Sequence, residues 1–274
     1  MSKLNALFIG NCQNKGLIHY LSHSEEFVNT FNIKSYANWE LIDNKESLPV
    51  VEIRNSDLFI FQPLPPVHGC YSTDPSVVNS IGYFVKPSCK KISYPYVYCS
   101  SLWPIVQAAM RENRWFGGQS IDKLIKSGCT KQDIFQLFLD NKIDWEYESR
   151  FNETLTILKN KETLTDIKIS DYIEQNIKTD ILFLMPQHPT SIVFLELSNR
   201  ILDKLNMKPL NRSIIKTVND ANLPDSTYEL PTNTFPMHKS IANNGGFEYV
   251  VNYAYESDSF YLKRIEDYIT LNHH

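Results

Sequence analysis

Residues 4–21 of the chain read LNALFIGNCQNKGLIHYL, and this stretch decides the fold. An apolar run over residues 4–9 stops at Gly10, and apolar residues recur at helical spacing from residue 15 to residue 21. Between the two lies a polar turn, residues 10–13, with Cys12 at its centre. The pattern predicts a strand, a tight turn and a helix.

Further segments of the chain carry the signature of buried strands. Residues 31–36 look like a strand, and residues 56–63 form an apolar run that ends in a proline-rich loop. Residues 87–98 are rich in β-branched and aromatic side chains, and residues 180–185 have a strand signature and are soon followed by a helical pattern over 191–205. Such runs are typical of parallel strands that are covered on both faces. We therefore expect an α/β fold with a parallel sheet.

Helical periodicity dominates the middle of the sequence, where apolar residues recur three and four positions apart. We predict a helical insertion or subdomain over residues 105–176. The α/β core, carrying the active site, is then formed by residues 1–104 and 177–274. Within its second part, the residues from 206 onward look loop-like until a last helical run over 260–271.

Composition excludes several classes of protein. The 274 residues carry a formal charge of -4, which argues against a nucleic-acid-binding protein because such binding requires a basic face. No apolar stretch of about 18 residues is present, so we expect no membrane span and no signal peptide. The sequence predicts a soluble globular enzyme.

The cysteines and histidines show no metal-binding pattern. The five cysteines are an odd number at irregular spacing, with no C-x-x-C pair and no zinc-ligand spacing. We expect reduced thiols, a cytoplasmic location and no metal. His273 and His274 are either native or the remnant of a purification tag, so no metal site is argued from them.

Three predicted strands end in polar residues. Asn11, Cys12 and Gln13 follow the first strand, Gln62 follows the strand over 56–63, and His188 follows the late strand. In open α/β sheets, ligands bind at the carboxyl ends of the strands. We therefore expect these five residues to converge on one cleft.

Cys12 and His188 form a candidate nucleophile and base. A cysteine at the start of a helix lies near free N–H groups and the positive end of the helix dipole, which favour a thiolate. The same N–H groups, with the side-chain amides of Asn11, Gln13 and Gln62, are candidate donors to an oxyanion. The structural alternative stays open, because a cysteine near a strand end is more often inert packing. The other cysteines, and His19, His23, His68 and His238, are assigned to that structural class.

These residues resemble the capsular polysaccharide biosynthesis family typified by WcbI, a family of CoA-binding acetyltransferases. The resemblance rests on Gly-Asn-Cys-Gln at 10–13, on the strand over 57–62 with its terminal glutamine, and on His188-Pro189-Thr190 followed by an apolar helix, and it spans residues 4–205. It implies transfer of an acetyl group from acetyl-CoA to a sugar hydroxyl, with Cys12 and His188 matching the catalytic pair.

The first turn also resembles the nucleophile block of SGNH esterases and acyltransferases, and this resemblance implies an SGNH-like or flavodoxin-like core around the parallel sheet. Here Cys12 occupies the serine position and Asn11 the aspartate position, and no D-x-x-H motif occurs near the C-terminus. The carboxylate that would orient the histidine is therefore unassigned, with Asp57 and Glu196 as neighbours in sequence of the two motifs.

Coenzyme A requires cations for its phosphates and an apolar or aromatic wall for its adenine. Candidates for the cations are Lys86, Lys90, Arg111 and Arg114, and Trp115 and Phe116 are candidates for the wall. Each cation taken singly is more often part of a solvated basic face.

Three functions from different classes follow from the sequence. The leading one is a CoA-dependent O-acetyltransferase acting on a sugar or polysaccharide precursor in surface polysaccharide assembly. The second is a cysteine-dependent esterase or thioesterase that uses the same site on water. The third is a non-catalytic binding protein of a glycan-assembly complex, in which Cys12 is only packed.

Overall fold

The computed structural model describes residues 2–107, 115–218, 235, 237–238, 240–241, 245–247 and 257–273. It confirms the expected α/β class. A four-stranded parallel sheet has the strand order β2-β1-β3-β4. Its strands are β1 (Leu4–Gly10), β2 (Phe31–Ala37), β3 (Leu58–Phe61) and β4 (Lys90–Ser93).

This strand order is that of the flavodoxin-like doubly wound folds. The sheet grows outward in both directions from β1, so the direction of winding reverses between β1 and β3. At such a switch point the loops leaving the two strands separate and a crevice opens at their carboxyl ends. The turn that carries Cys12 leaves β1 at this point.

The chain divides into two compact units. Unit 1 consists of residues 1–97, 158–171 and 189–223, and unit 2 of residues 98–157, 172–188 and 224–274. The helices of unit 1 that accompany the sheet are α1 (Gln13–Leu21), α2 (Glu25–Thr30), α3 (Asn38–Asp43), α4 (Val50–Asn55), α5 (Ile81–Phe84) and, later in the chain, α10 (Ser191–Lys204). Two 3₁₀ turns, Pro66–Tyr71 and Arg212–Lys216, complete it.

Unit 2 is mostly helical. It contains an antiparallel pair, β5 (Val106–Gln107) and β6 (Trp115–Phe116), and a second short pair, β7 (Phe183–Met185) and β8 (His188–Pro189), whose last residue belongs to unit 1. Its helices are α6 (Gly118–Lys126), α7 (Lys131–Leu139), the first part of α8 (Tyr147–Glu162), most of α9 (Ser170–Asn176) and α11 (Ser257–Asn272).

The division into units does not follow the boundaries of the predicted insertion over 105–176, which stays a prediction. Two long-range bonds lie within the units. The backbone N–H of Ser93 donates to Asp166 Oδ2 at 2.8 Å, which fastens the segment 158–171 to the end of β4. The C-terminal helix α11 belongs to unit 2, where the Tyr268 hydroxyl donates to Asp122 Oδ1 at 2.7 Å. Neither long-range bond has a signal in hydrophobic periodicity.

One strand prediction is wrong. The segment 180–185 yields β7, but among the described strands β7 pairs with β8 and is not part of the four-stranded sheet. Only Pro186 and Gln187 separate β7 from β8, so the chain returns at once in a hairpin instead of continuing as a central strand. The carboxyl ends of β1 and β3 do lie side by side, as expected, with Ile9 opposite Phe61.

The two central strands of the sheet, β1 and β3, are buried on both faces, as is usual in parallel sheets. Leu7 and Ile9 of β1 pack with Phe59 into a cluster on one side. Phe8 points to the opposite side and is also fully buried, with its ring 6.4 Å from that of Phe27. The apolar run that opened the sequence is therefore the centre of this core.

Helix α1 packs tightly against α10 within unit 1. A Cβ atom added at Gly16 would lie 2.6 Å from Cε2 of Phe194, and the Ser198 hydroxyl donates to the Leu17 carbonyl at 3.4 Å. The absence of a side chain at Gly16 thus leaves room for the Phe194 ring against α1. Among the described residues, no helix is both long enough and apolar enough to cross a membrane.

Replacement of Gly16 by alanine should destabilise the protein. In an open helix this change stabilises by about 1 kcal/mol, whereas here the new methyl group meets the Phe194 ring and overpacking costs about 1–3 kcal/mol. Urea unfolding of G16A measures the sign. The double variant G16A/F194L should recover part of the loss. A stability gain in G16A would contradict the packing described.

Candidate active site

Two buried glutamines build the turn that carries Cys12. The backbone N–H of Asn11 donates to Gln62 Oε1 at 2.8 Å, and the backbone N–H of Gln62 donates to the Ile9 carbonyl at 3.0 Å. Gln62 is 4% exposed, so these bonds are shielded from water. The side chain that follows β3 therefore holds the turn that follows β1.

Gln13 fastens the same turn to the chain beyond β4. Its side-chain Nε2 donates to the Val97 carbonyl at 2.6 Å, and its Oε1 accepts from the Val97 N–H at 3.2 Å. The amide groups of Gln13 and Gln62 are thus occupied with protein partners. Their prediction as oxyanion donors stays untested, and the bonds observed give both residues a positioning role.

Asn14 and Tyr94 complete the scaffold and were missed in the sequence. The Tyr94 hydroxyl donates a short hydrogen bond to Asn14 Oδ1, and both side chains are buried. A Cβ atom at Gly10 would lie 2.6 Å from the Tyr94 hydroxyl oxygen, so the glycine of the turn leaves room for this pair. Burial raises the pKa of Tyr94 far above its usual range, so the hydroxyl stays a neutral donor.

Cys12 is exposed and occupies the residue before α1. Burial by the surrounding atoms nevertheless raises the pKa of its thiol, and this outweighs the backbone N–H groups of Cys12 and Gln13 and the Lys15 cation, which lower it. The N–H groups at the start of the helix favour the thiolate, as expected, but burial has the larger effect, so the net direction of the pKa is opposite to the expected one. Cys12 is a neutral thiol near pH 7 and needs a base to become a nucleophile.

His188 is suited to act as that base. It begins β8 and is half-buried, and burial lowers the pKa of its imidazole, which is therefore neutral near pH 7. Cys12 belongs to unit 1 and His188 to unit 2, so their pairing stays a prediction.

The candidate CoA-binding lysines lie at the opposite edge of the sheet from Cys12. Lys90 begins β4 and donates to the Lys204 carbonyl at 2.6 Å, while Lys86 pairs with Asp57 at 2.7 Å just before β3 begins. A four-residue strand spans about 10 Å, so these cations are a strand length from the carboxyl edge. Both have structural partners, and this placement lends no support to a role in CoA binding.

The other predicted cations, Arg111 and Arg114, lie outside the described residues. Lys15 is a cation that the sequence reasoning missed. It is exposed, lies in the first turn of α1 and acts electrostatically on Cys12. Its spacing of three residues from Cys12, one helical turn, was the available signal. Within the described ranges, His, Cys, Asp and Glu side chains form no group of three that could hold a metal ion.

Fold and site together define an α/β protein of flavodoxin-like strand order with an accessible cysteine at its switch point. A family model described as "Polysaccharide biosynthesis enzyme WcbI" matches residues 5–210. The chain belongs to this family of polysaccharide biosynthesis enzymes, which confirms the resemblance found in the sequence.

A solved structure has the same fold. It is that of WcbI, described as a novel polysaccharide biosynthesis enzyme, in its native form without a disulfide bond between coenzyme A and one of its cysteines. It matches with a TM-score of 0.67 and 17% sequence identity, over 98% of this chain and 91% of that chain. No curated protein matches the sequence.

Alkylation of Cys12 should be slow at neutral pH and accelerate at alkaline pH. Only the thiolate reacts, and the raised pKa of the thiol delays its formation, so the midpoint of the rate profile should lie above the usual cysteine range. Peptide mass spectrometry after timed iodoacetamide treatment measures the rate at Cys12, with C12S as the blank. An alkylation rate that is already maximal at pH 7 and does not rise at higher pH would contradict this.

Proposed function

We propose that this protein is a CoA-dependent O-acetyltransferase that modifies a sugar hydroxyl during the biosynthesis of a capsular or other surface polysaccharide. The observation that carries the proposal is the accessible Cys12 thiol at the switch point between β1 and β3, where α/β folds bind ligands. Family membership supports the polysaccharide context. The five cysteines are free thiols, which supports a cytoplasmic location.

The related structure supports coenzyme A as the donor. Its description relates coenzyme A to a cysteine of that protein through a disulfide that the native form lacks. We assign the corresponding role to Cys12, because it is exposed and lies at the carboxyl edge of the sheet. The thiol end of coenzyme A, and hence the acetyl group of acetyl-CoA, would then lie beside the Cys12 sulfur.

The packing of unit 1 supports His188 as the base. The contact between Gly16 and Phe194 joins the fourth residue of α1 to the fourth residue of α10. Three residues of helix rise by about 4.5 Å, so both helices begin near this contact. Cys12 immediately precedes α1, and His188 lies three residues before α10. This supports convergence of the two turns on one site.

The proposed reaction has two steps. His188 accepts the Cys12 proton as the sulfur attacks the thioester carbonyl, the bond from the acetyl carbon to the CoA sulfur breaks, and the proton passes to the departing CoA thiolate. In the second step His188 accepts the proton of a sugar hydroxyl, whose oxygen attacks the acetyl-Cys12 carbonyl and releases the Cys12 thiolate, which the proton then neutralises. Backbone N–H groups at the start of α1 stabilise the oxyanion.

Replacement of Cys12 by serine should reduce acetyl transfer by at least about 100-fold while the fold and CoA affinity survive, because a hydroxyl is far harder to ionise. Replacement of His188 by alanine should have a similar effect. Transfer of labelled acetyl from acetyl-CoA to a sugar acceptor measures both.

The exposed Cys70 and the half-buried His68, both in the 3₁₀ turn of unit 1, supply matched controls, and C70S and H68A should keep wild-type transfer. If H188A loses most of its acetyl transfer and C12S loses little, the sugar attacks acetyl-CoA directly. Near-wild-type transfer in both would place the active site elsewhere.

The pH profile of transfer should be flat across neutral pH. The pKa of His188 is lowered, so the base is lost only when the pH falls below the usual histidine range. Because His188 takes the Cys12 proton, the raised thiol pKa should not impose a second rise at alkaline pH. Measurement of kcat/KM for acetyl-CoA between pH 5 and pH 9 tests this, and a rate that still climbs above pH 8 would show that Cys12 ionises unaided.

A further inference from the structure

Unit 2 contains a cavity that the proposed chemistry does not use. It has a volume of about 310 Å³ and is lined by one face of α8, by β6 and by the start of α6. This volume lies at the lower end of the range for small-molecule sites, which is about 300–1,000 Å³. The face of α8 presents Ser149, Arg150, Glu153, Thr154 and Ile157, at the spacing of successive helical turns.

Arg150 is fixed by the protein itself. Its two terminal nitrogens donate to backbone carbonyls, Nη2 to Ser100 and Trp103 at 2.6 and 3.0 Å and Nη1 to Pro104 and Trp145 at 3.2 and 3.3 Å. Burial lowers the pKa of Arg150 to about 10, so the side chain is still a cation near pH 7. Since four of its N–H donors are occupied, Arg150 cannot offer the paired donors that bind a carboxylate or phosphate.

The other charges of the cavity favour a ligand that donates hydrogen bonds. Lys123 is occupied by a short ion pair with Glu146. Glu153 is exposed and makes no hydrogen bond or ion pair within the described part of the chain. Among the described lining residues, the formal charges of two cations and two carboxylates cancel. The carboxylate without a described protein partner, that of Glu153, is a hydrogen-bond acceptor. An anionic ligand would be repelled by Glu153, and both cations of the described lining, Arg150 and Lys123, already bind protein groups.

Another part of the cavity lining is aromatic. Trp115 and Phe116 of β6 line the cavity, and the Trp115 ring is held edge-on by Tyr268 at 5.5 Å. The indole N–H of Trp115 is buried and has no partner among the described residues, which leaves one donor unsatisfied. Gly117 has a φ of 83°, and a Cβ atom there would lie 1.9 Å from the Pro104 carbonyl oxygen, so no larger residue fits this wall.

We infer that this cavity binds a neutral sugar residue. Sugar hydroxyls would donate to Glu153, and the apolar face of the ring would pack on Trp115, a combination of a few polar groups with an aromatic wall that is typical of small-molecule sites. Assignment of this sugar as part of the acetyl acceptor rests on the proposed function. Selection of neutral over anionic sugars follows from the charges of the cavity alone.

The test is a titration of the full chain with methyl glucoside, methyl mannoside, methyl galactoside and glucuronate, followed by saturation-transfer NMR. At least one neutral glycoside should bind, about tenfold or more tightly than glucuronate. E153Q should weaken the binding of the neutral glycoside about tenfold, the loss expected for a charge-assisted hydrogen bond. It should also reduce the difference in affinity between the neutral glycoside and glucuronate. E148Q, on an exposed position of the same helix outside this cavity, should bind like wild type.

The inference is overturned if no neutral glycoside binds at tens of millimolar, if glucuronate binds as tightly, or if E153Q binds like wild type. Its failure is distinguishable from failure of the proposed function. Selective glycoside binding without any acetyl transfer would leave the cavity assignment standing and remove the transferase. Acetyl transfer with an acceptor KM that is unchanged in E153Q would support the transferase and remove the cavity assignment.

Discussion

The bonds between the buried Gln13 amide and the backbone of Val97 hold together the part of unit 1 on which the site depends. Both polar groups of one side chain are satisfied by both polar groups of one residue, 84 positions away. Loss of this side chain would leave a buried N–H and a buried carbonyl unpaired, at about 1–3 kcal/mol each. The same turn is held from the side of β3 by Gln62, so the position of Cys12 is fixed by residues that themselves are shielded from solvent.

Much of this arrangement is readable from sequence because it is local. The apolar run, the glycine and the helical spacing around Cys12 specify β1, the turn and α1, and the run over 56–63 specifies β3 with Gln62 after it. Parallel sheets then bring the ends of β1 and β3 together by geometry. The fold class and the place of the cysteine follow from these short-range signals.

What the sequence did not yield depends on long-range contacts. The segment 180–185 has the composition of a central strand, but the return of the chain at Pro186-Gln187 pairs it with residues 188–189. The direction of the thiol pKa depends on how closely other segments surround Cys12, which outweighs the helix terminus that the sequence does reveal. Tyr94 and Asn14 likewise become partners only because β4 ends beside α1.

The neutral thiol and the neutral imidazole give the proposed chemistry its character. Burial displaces the pKa of each group, upward for Cys12 and downward for His188, so both groups are uncharged near pH 7. In the proposed reaction, charge would then develop only as the thioester is attacked. The proposed reaction therefore requires that Cys12 carries the acetyl group between the two steps. The most direct measurement is peptide mass spectrometry after the protein is mixed with acetyl-CoA in the absence of a sugar. An acetyl group should appear on Cys12 and disappear when a sugar acceptor is added, whereas transfer to the sugar with Cys12 never acetylated would contradict an acetyl-Cys12 intermediate.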